Sequence, residues 1–494
     1  MIKILAGILD ALLALIVLSI PLFLFLNWPR PASTDSLQVF NHGSIGNQTT
    51  QGLPYWIWRV LPSMFPEYLP GNQDGWGSIG FYWIGGEELP VGFSKTKLGP
   101  VSLVAPNCAF CHQGSYRLHA NDVSTFVAAG AGTQVNVQGY IRFLIAVGRA
   151  PDRFTADKVM AAIEAIYKMP LWERLLYRYA LIPAVRSALA EQVTRFAWMD
   201  SRPDCPRPDW GPGRIDPFNP VKFYNLHLPD DCTIGNSDIV PLWDLNRLTD
   251  GARVYSFHWD GLNTDLRESA IAGAIGDGMT YRGYSGAQAN LNAILDFIRL
   301  QKPPPSPFSA DRSADDPYHV DAADVEKGRA LYQANCAVCH DPDGARFRTV
   351  ISVTELGTDR HRIDMWTEAA KERYSNYEQG GHSWGFHAFH KTNGYVADEL
   401  TGLWLRGPYL HNGSVPTLRD LLAPPSARPK KFYRGYDLID STNGGYVSQP
   451  GTPAERYGTL YDTASPGNDN SGHLYGTALS DQDKQRLLAF LKTL

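Results

Sequence analysis

The sequence lacks an excess of positive charge and is sparing with cysteine, and each shortage narrows what the chain can do. With a formal net charge of -5 and a pI near 6.2 there is no electrostatic footprint for nucleic acid. Neither a P-loop nor a convincing dinucleotide fingerprint is present, so the familiar nucleotide-binding classes find no support. Charged residues make up 19% of the 494 residues against 44% hydrophobic ones, ample apolar material for a core and a length that suits two domains. Only six cysteines occur, and four of them fall in two short runs.

Those runs are Asn107-Cys108-Ala109-Phe110-Cys111-His112 and Cys336-Ala337-Val338-Cys339-His340. In a C-x-x-C-H run each thiol can form a thioether to a haem vinyl group, while the adjoining imidazole turns inward to hold the iron. Cys108, Cys111 and His112 therefore predict one covalently attached haem c, and Cys336, Cys339 and His340 a second. A zinc half-site would want two C-x-x-C pairs close in sequence, and a thioredoxin-like pair a strand-to-helix setting; neither run has that context. Haem c is attached outside the bacterial cytoplasm, where leftover thiols tend to pair. A Cys205 to Cys232 disulfide is expected on that ground, with two buried free thiols as the alternative.

Residues 4–26 are almost continuously apolar and long enough to cross a bilayer as a helix. The run is long for a signal-peptide core and no small-x-small cleavage site follows it, so residues 1–27 are expected to be an uncleaved transmembrane anchor. The globular part then belongs in the periplasm, held to the bacterial inner membrane by a single pass. Residues 28–51 are polar and Pro/Gly-bearing, as a tether would be. The aromatic, glycine-rich stretch at 52–93 shows neither helical nor strand period and reads as irregular chain over the first motif. Helices are predicted near 139–147, 156–168 (capped by Thr155), 171–180 and 184–198. Trp172, Leu175, Leu176 and Tyr179 form one stripe, read as core, with a helix lying on the membrane as the other reading. A helical run at 289–300 ends a first domain (52–301), and the proline-rich segment at 302–317 is a stiff linker. The second domain (318–494) has the layout of a small cytochrome c. A helix around 322–332 precedes its motif, and a terminal helix starts at the Ser480 capping box. Those two helices need a small residue where they cross, and Gly328 is well placed for it.

Phe257-His258-Trp259-Asp260-Gly261 with Asp265-Leu266-Arg267-Glu268-Ser269-Ala270 resembles the F-W-D-G-R-A-x-x-L segment of the bacterial di-haem cytochrome c peroxidase superfamily. Gly407-Pro408-Tyr409-Leu410-His411-Asn412-Gly413-Ser414 resembles its A-P-Y-x-H-D-G-S segment. The aromatic N-terminal stretch, Gly413-Ser414-Val415-Pro416 with Arg428-Pro429, and Gly472-His473-Leu474-Tyr475-Gly476-Thr477 look closer still to the rubber-oxygenase-like branch of di-haem c-type cytochromes, which adds dioxygen across carbon double bonds. The resemblance implies that Trp259 lies between the haems and relays electrons, and that Asp277 falls where the distal acidic residue assists peroxide chemistry. Gly235-Asn236-Ser237 resembles a run whose asparagine helps hold calcium, which would make Asn236 a calcium contact, although the arginine of that run is missing here. The methionine that ligates the peroxidases' electron-transfer haem is also missing: after Cys336 only Met365 remains. His473 is expected as second ligand to the His340 iron, with His411 as runner-up, its setting serving a haem propionate instead. The His112 haem has only His258 as a second imidazole, in a pocket made apolar by Phe257 and Trp259.

The expected protein is mainly α, with two cytochrome c-like haem domains, long irregular loops and one N-terminal transmembrane helix. Peroxide or dioxygen chemistry is expected at the first haem and electron transfer through the second; the rival is a non-enzymatic periplasmic electron-transfer cytochrome. The implied partners are the inner membrane through residues 4–26, an electron-donor cytochrome or small copper protein, and a small-molecule substrate such as peroxide, or dioxygen with an organic compound.

Overall fold

At Asp35 the carboxylate accepts the amides of Leu37 and Gln38 and starts helix α1 (Ser36–His42). The computed structural model describes residues 35–71, 75–249, 251 and 253–494. The expected anchor lies outside them, and among the described residues no helix is long and apolar enough to cross a membrane. The tether reading fails from Asp35 onward. Val39, Phe40 and Ile45 are buried, and Phe40 meets Phe297 at 4.8 Å, because this polar-looking segment carries enough apolar side chains to join the core.

The stretch read as irregular is partly regular. Strands β1 (Leu53–Pro54), β2 (Phe93–Leu98) and β3 (Val101–Pro106) form an antiparallel sheet in the order β1-β3-β2. Between the first two, helix α2 (Tyr55–Met64) buries Tyr55, Ile57, Trp58, Val60 and Leu61. Its exposed face is only Arg59 and Ser63, one turn apart, and Pro62 lies inside it, so the helix is short of the usual signals. Its Trp58 stacks on Trp76 at 5.1 Å and meets Phe93 at 5.3 Å, and Phe93, with Phe81 and Tyr140, surrounds Phe110 of the first motif at 5.3–5.6 Å. Gly92 (φ 89°) lets the chain pass against this motif, since a Cβ there would sit 2.3 Å from the Phe110 Cα.

Helices α3 (Val137–Gly148) and α4 (Ala156–Glu164) follow, the latter capped by Thr155 as expected. Next, α5 (Leu171–Leu176) runs through a π turn (Tyr177–Leu181) into α6 (Ile182–Arg195) without a break. Here the core reading of the stripe is overturned. Trp172 is 54% exposed, Leu175 48% and Tyr179 70%, whereas Tyr177, Ile182, Val185 and Leu189 face inward. The core beneath this helix is filled by Tyr177 and, beyond the π turn, by Ile182, Val185 and Leu189, so no residue of α5 is buried.

Cys205 and Cys232 are joined, with Cα atoms 5.2 Å apart across a separation of 27 residues. The chain-entropy relation for a loop of this size gives about 3.5 kcal/mol. Cys205→Ala with Cys232→Ala should lower stability by about that amount, measured as a shift of denaturant midpoint at constant slope. An unchanged midpoint would show that the loop is held by its ion pairs alone, such as Arg207 to Asp230 and Lys222 to Asp231.

Helices α7 (Leu266–Gly276) and α8 (Tyr281–Leu300) close the first half; α8 begins earlier than its sequence pattern. The proline-rich linker is docked: Ser306 donates to the Lys492 carbonyl, and Phe308 is buried. In the second half, α9 (Ala322–Asn335) crosses α10 (Asp481–Lys492), capped by Ser480, and Gly328 stands at the crossing. One core cluster takes residues from Val39 to Tyr446, so both halves pack together. The mainly helical expectation is corrected: two-stranded ladders such as 350–352 with 394–396 and 431–434 with 459–462 make the fold mixed. These strands are too short to show a period of two.

Candidate haem sites

Asn107 builds the first site. Its side-chain oxygen accepts the Ala109 amide and starts the single turn Cys108–Cys111, while its Nδ2 donates to the carbonyls of Phe40 (3.1 Å) and Gly43 (3.0 Å), fixing the motif on α1. The His112 Nδ1 pairs with the Val240 carbonyl at 2.8 Å. That bond makes Nδ1 the donor and leaves the Nε2 lone pair for a metal. Burial pushes the imidazole below its ordinary value, opposed by the Val240 carbonyl, which favours the neutral ring a metal requires.

Two expected residues gather here. Asp277 ends α7 and its carboxyl is raised to about 7 by burial. The same carboxylate helps burial push the Cys108 thiol up to about 12, so it lies within electrostatic reach of the motif. His258 is lowered to about 3, first by burial, then by Arg362 and His112. Its backbone is left-handed (φ 65°), a conformation that costs on the order of 1 kcal/mol or more outside glycine. Trp259 follows it, donating Nε1 to the Asp238 carbonyl at 2.7 Å and packing with Val353, Ile363 and Tyr395. Its own carbonyl accepts the Val396 amide, two residues before Asp398.

Asp398 belongs to the second site. Its carbonyl pairs with the His340 Nδ1 at 2.7 Å, again directing Nε2 outward. Burial alone would raise the Asp398 carboxyl, but Arg348 and Arg406 overcome it and hold it below its ordinary value. Trp259 therefore links the segment beside His112 to the one that orients His340. Opposite His340 stands His473, with ring centres 6.3 Å apart and planes at 54°. Two imidazoles each bonded at about 2 Å to one metal ion bring their ring centres roughly 6 Å apart. His473 is also left-handed (φ 47°), and the preceding Gly472 (φ 74°) passes so close to the Gly357 backbone that a Cβ would come within 2.3 Å. His411 is elsewhere: it stacks on Tyr395 at 3.9 Å. Asn236 is buried and donates to the Pro208 carbonyl at 3.4 Å.

Several buried polar atoms have no protein partner among the described residues: His258 Nε2, His411 Nε2, His473 Nδ1, Asp260 Oδ2, and Nε and Nη1 of Arg362. Such atoms are costly unless another group satisfies them. A haem brings both what imidazoles bind, an iron, and what a guanidinium binds, carboxylate side groups, so the residues present fit it. Arg362 and Asp398 carry no sequence signal, since each acts through a contact distant in the chain.

Asp277 makes the first site testable without a substrate. Between its ordinary value of 3.8 and about 7 the unfolded chain has released this proton while the folded chain keeps it. Stability should therefore fall as pH rises through that window, and Asp277→Asn should flatten the slope, read from denaturant midpoints across pH. An equal slope in the variant would place the ionising group elsewhere.

Residues 325–399 match the family model for cytochrome c, and residues 394–434 that for RoxA-like, cytochrome c-like proteins. The uncharacterized protein y4iM of Sinorhizobium fredii (strain NBRC 101917 / NGR234) is 35% identical over 186 residues, covering 32% of this chain and 42% of that protein. The uncharacterized protein y4iJ of the same strain is 42% identical over 109 residues, 20% of this chain and 18% of that protein. The chain thus spans less than half the length of the curated relatives it matches. Taken with the second motif, the matches show cytochrome c and RoxA-like cytochrome c domains in the C-terminal part of the chain, which imply haem c and support a role in electron transfer or RoxA-like oxidation.

Proposed function

We propose that the chain is a membrane-anchored, periplasmic di-haem oxidoreductase. In this reading the His112 haem is open to dioxygen or peroxide, and the His340 haem, closed by His473, supplies or removes electrons. The observation that carries it is the difference between the two imidazoles. His340 faces a second ring at 6.3 Å, whereas His112 has an acid, Asp277, and the electrostatically coupled His258 nearby. When bound, haem supplies an iron that can hold oxygen or peroxide and change its oxidation state. The chain's own residues do the rest. Asp277, its carboxyl raised to about 7, can hold or give up a proton beside the first motif near neutral pH. Trp259 offers a polarisable ring between the segments that orient His112 and His340, and Arg362 offers a buried guanidinium to a haem carboxylate. A cytochrome or small copper protein would exchange electrons at the second site, and the substrate would be peroxide, or dioxygen with an organic compound. Calcium at Asn236 belongs to the same reading, on the resemblance alone.

The second reading, an electron carrier, rests on His258. Its buried, unpartnered Nε2 beside His112 is a nitrogen that could close the first iron. Carbon monoxide titration of the reduced protein, with haem counted after acid-acetone treatment, separates the two readings. The oxidoreductase reading expects two haems retained per chain and carbon monoxide bound at one. No binding at either would favour the carrier, and complete extraction of haem would defeat covalent attachment.

A further inference from the structure

The apolar stripe that sequence placed in the core stands on the surface, and packing fixes it there. Ile166 is 56% exposed, Leu171 72%, Trp172 54%, Leu175 48% and Tyr179 70%. Tyr177, Ile182 and Val185 are buried on the opposite side of the same continuous helix, so the stripe cannot roll inward without emptying a core. A contiguous exposed group of large apolar side chains marks an interaction surface. Its rim carries a small excess of positive charge: Lys168 and Arg186 are exposed at either end, Asp157 pairs with Arg178 and Glu164 with Arg174, and Glu173, which accepts from the Tyr167 hydroxyl, keeps its charge. A Trp, a Tyr and aliphatic residues on one helical face, bordered by Lys and Arg, form the pattern of a helix lying in a headgroup layer.

The chain before Asp35 names the occupant. Eight residues, 27–34, separate the apolar run at 4–26 from Asp35. Fully extended, they reach at most about 28 Å. A run inserted in a bilayer would therefore keep the body within that distance of the bilayer, where a face suited to lipid can reach it. The stripe's N-terminal end packs on α2, which begins 20 residues after Asp35: Trp56 stacks on Tyr167, the neighbour of Ile166 in the α4–α5 turn, at 4.0 Å.

We propose that the face formed by Ile166, Leu171, Trp172, Leu175 and Tyr179 docks on an anionic phospholipid bilayer, the one in which residues 4–26 are inserted. This rests on the anchor reading above, and it adds an orientation: one defined side of the globule lies on the membrane, its aromatic rings at headgroup depth and its Lys and Arg side chains toward phosphate.

The test uses the full haem-loaded chain, in which the native cysteines are consumed by haem attachment and the disulfide. Leu175→Cys and, as a second site, Tyr179→Cys would each carry an environment-sensitive fluorophore, with Val123→Cys, at a side chain 88% exposed, as reference. All three would be mixed with vesicles of phosphatidylethanolamine and phosphatidylglycerol containing a doxyl-labelled lipid. Quenching at 175 and 179 should exceed that at 123 by roughly fivefold or more, as expected for side chains within the headgroup and acyl boundary. If the chain floats with vesicles but 175 and 179 are quenched no more than 123, the anchor stands and the docking face is overturned. A chain that does not float overturns both. Shielding of 175 that grows with protein concentration and needs no lipid would assign the face to a second copy and overturn the proposal.

Discussion

Replacing His473 by Ala should let carbon monoxide bind at a second iron, raising its uptake from about one to about two equivalents per chain. The reasoning starts from the backbone. A left-handed histidine (φ 47°) is an unfavourable conformation, reached behind a glycine (φ 74°) that adopts it freely and held by the bond from the His473 amide to the Leu356 carbonyl. The strain places an imidazole 6.3 Å, centre to centre, from His340. Burial, then His340 and Arg428, push His473 down to about 3, so the ring is neutral over the working range of pH and ready to bind metal. No methionine lies near this site in the sequence, so the variant has no alternative soft ligand from that source. His411→Ala serves as the control: stacked on Tyr395, it should leave the second iron's spectrum unchanged. Uptake that stays at about one equivalent in His473→Ala would remove His473 from the ligand set.

Gly328→Ala should cost about 3 kcal/mol or more, a large fraction of the stability of an ordinary domain. An added Cβ would lie 2.1 Å from the Arg486 carbonyl oxygen and 2.8 Å from the Phe490 Cβ. The first of these is backbone, which cannot swing aside. Relief therefore requires α9 and α10 to separate along the contact where Tyr332 meets Phe490 at 5.3 Å. Gly286→Ala in α8 is the matching control, because nothing lies within 4 Å of its Cβ. Helix propensity alone predicts a gain of about 1 kcal/mol there. Denaturant unfolding of the two variants should move the midpoint in opposite directions; equal small shifts would mean that the α9–α10 crossing is looser than its geometry implies.

What could be read in the sequence was whatever depends on local spacing. The two motifs, the caps Thr155 and Ser480, the terminal helix, the cysteine pair and the small residue at the crossing are each set by residues near one another or by simple arithmetic. The position of His473 opposite His340 was also within reach, because its glycine neighbour signalled close approach. What escaped was set by tertiary context. The helix at Tyr55–Met64 exposes only Arg59 and Ser63 and carries a proline inside it, and the regular stripe from Trp172 to Tyr179 stands in solvent because the core is filled by Tyr177, Ile182, Val185 and Leu189 instead. Arg362, Asp398 and the stack of Tyr395 on His411 join segments far apart in the chain, and no local pattern announces them.

The central claim is that two haems attached to one chain are ligated differently. Low-temperature electron paramagnetic resonance of the fully oxidised protein tests it most directly. The account predicts two distinct ferric signals of equal intensity, one low-spin from the His340 and His473 pair and one high-spin or ligand-exchangeable from the His112 site. Two low-spin signals, neither altered by added cyanide or azide, would mean that both irons are closed and would contradict it.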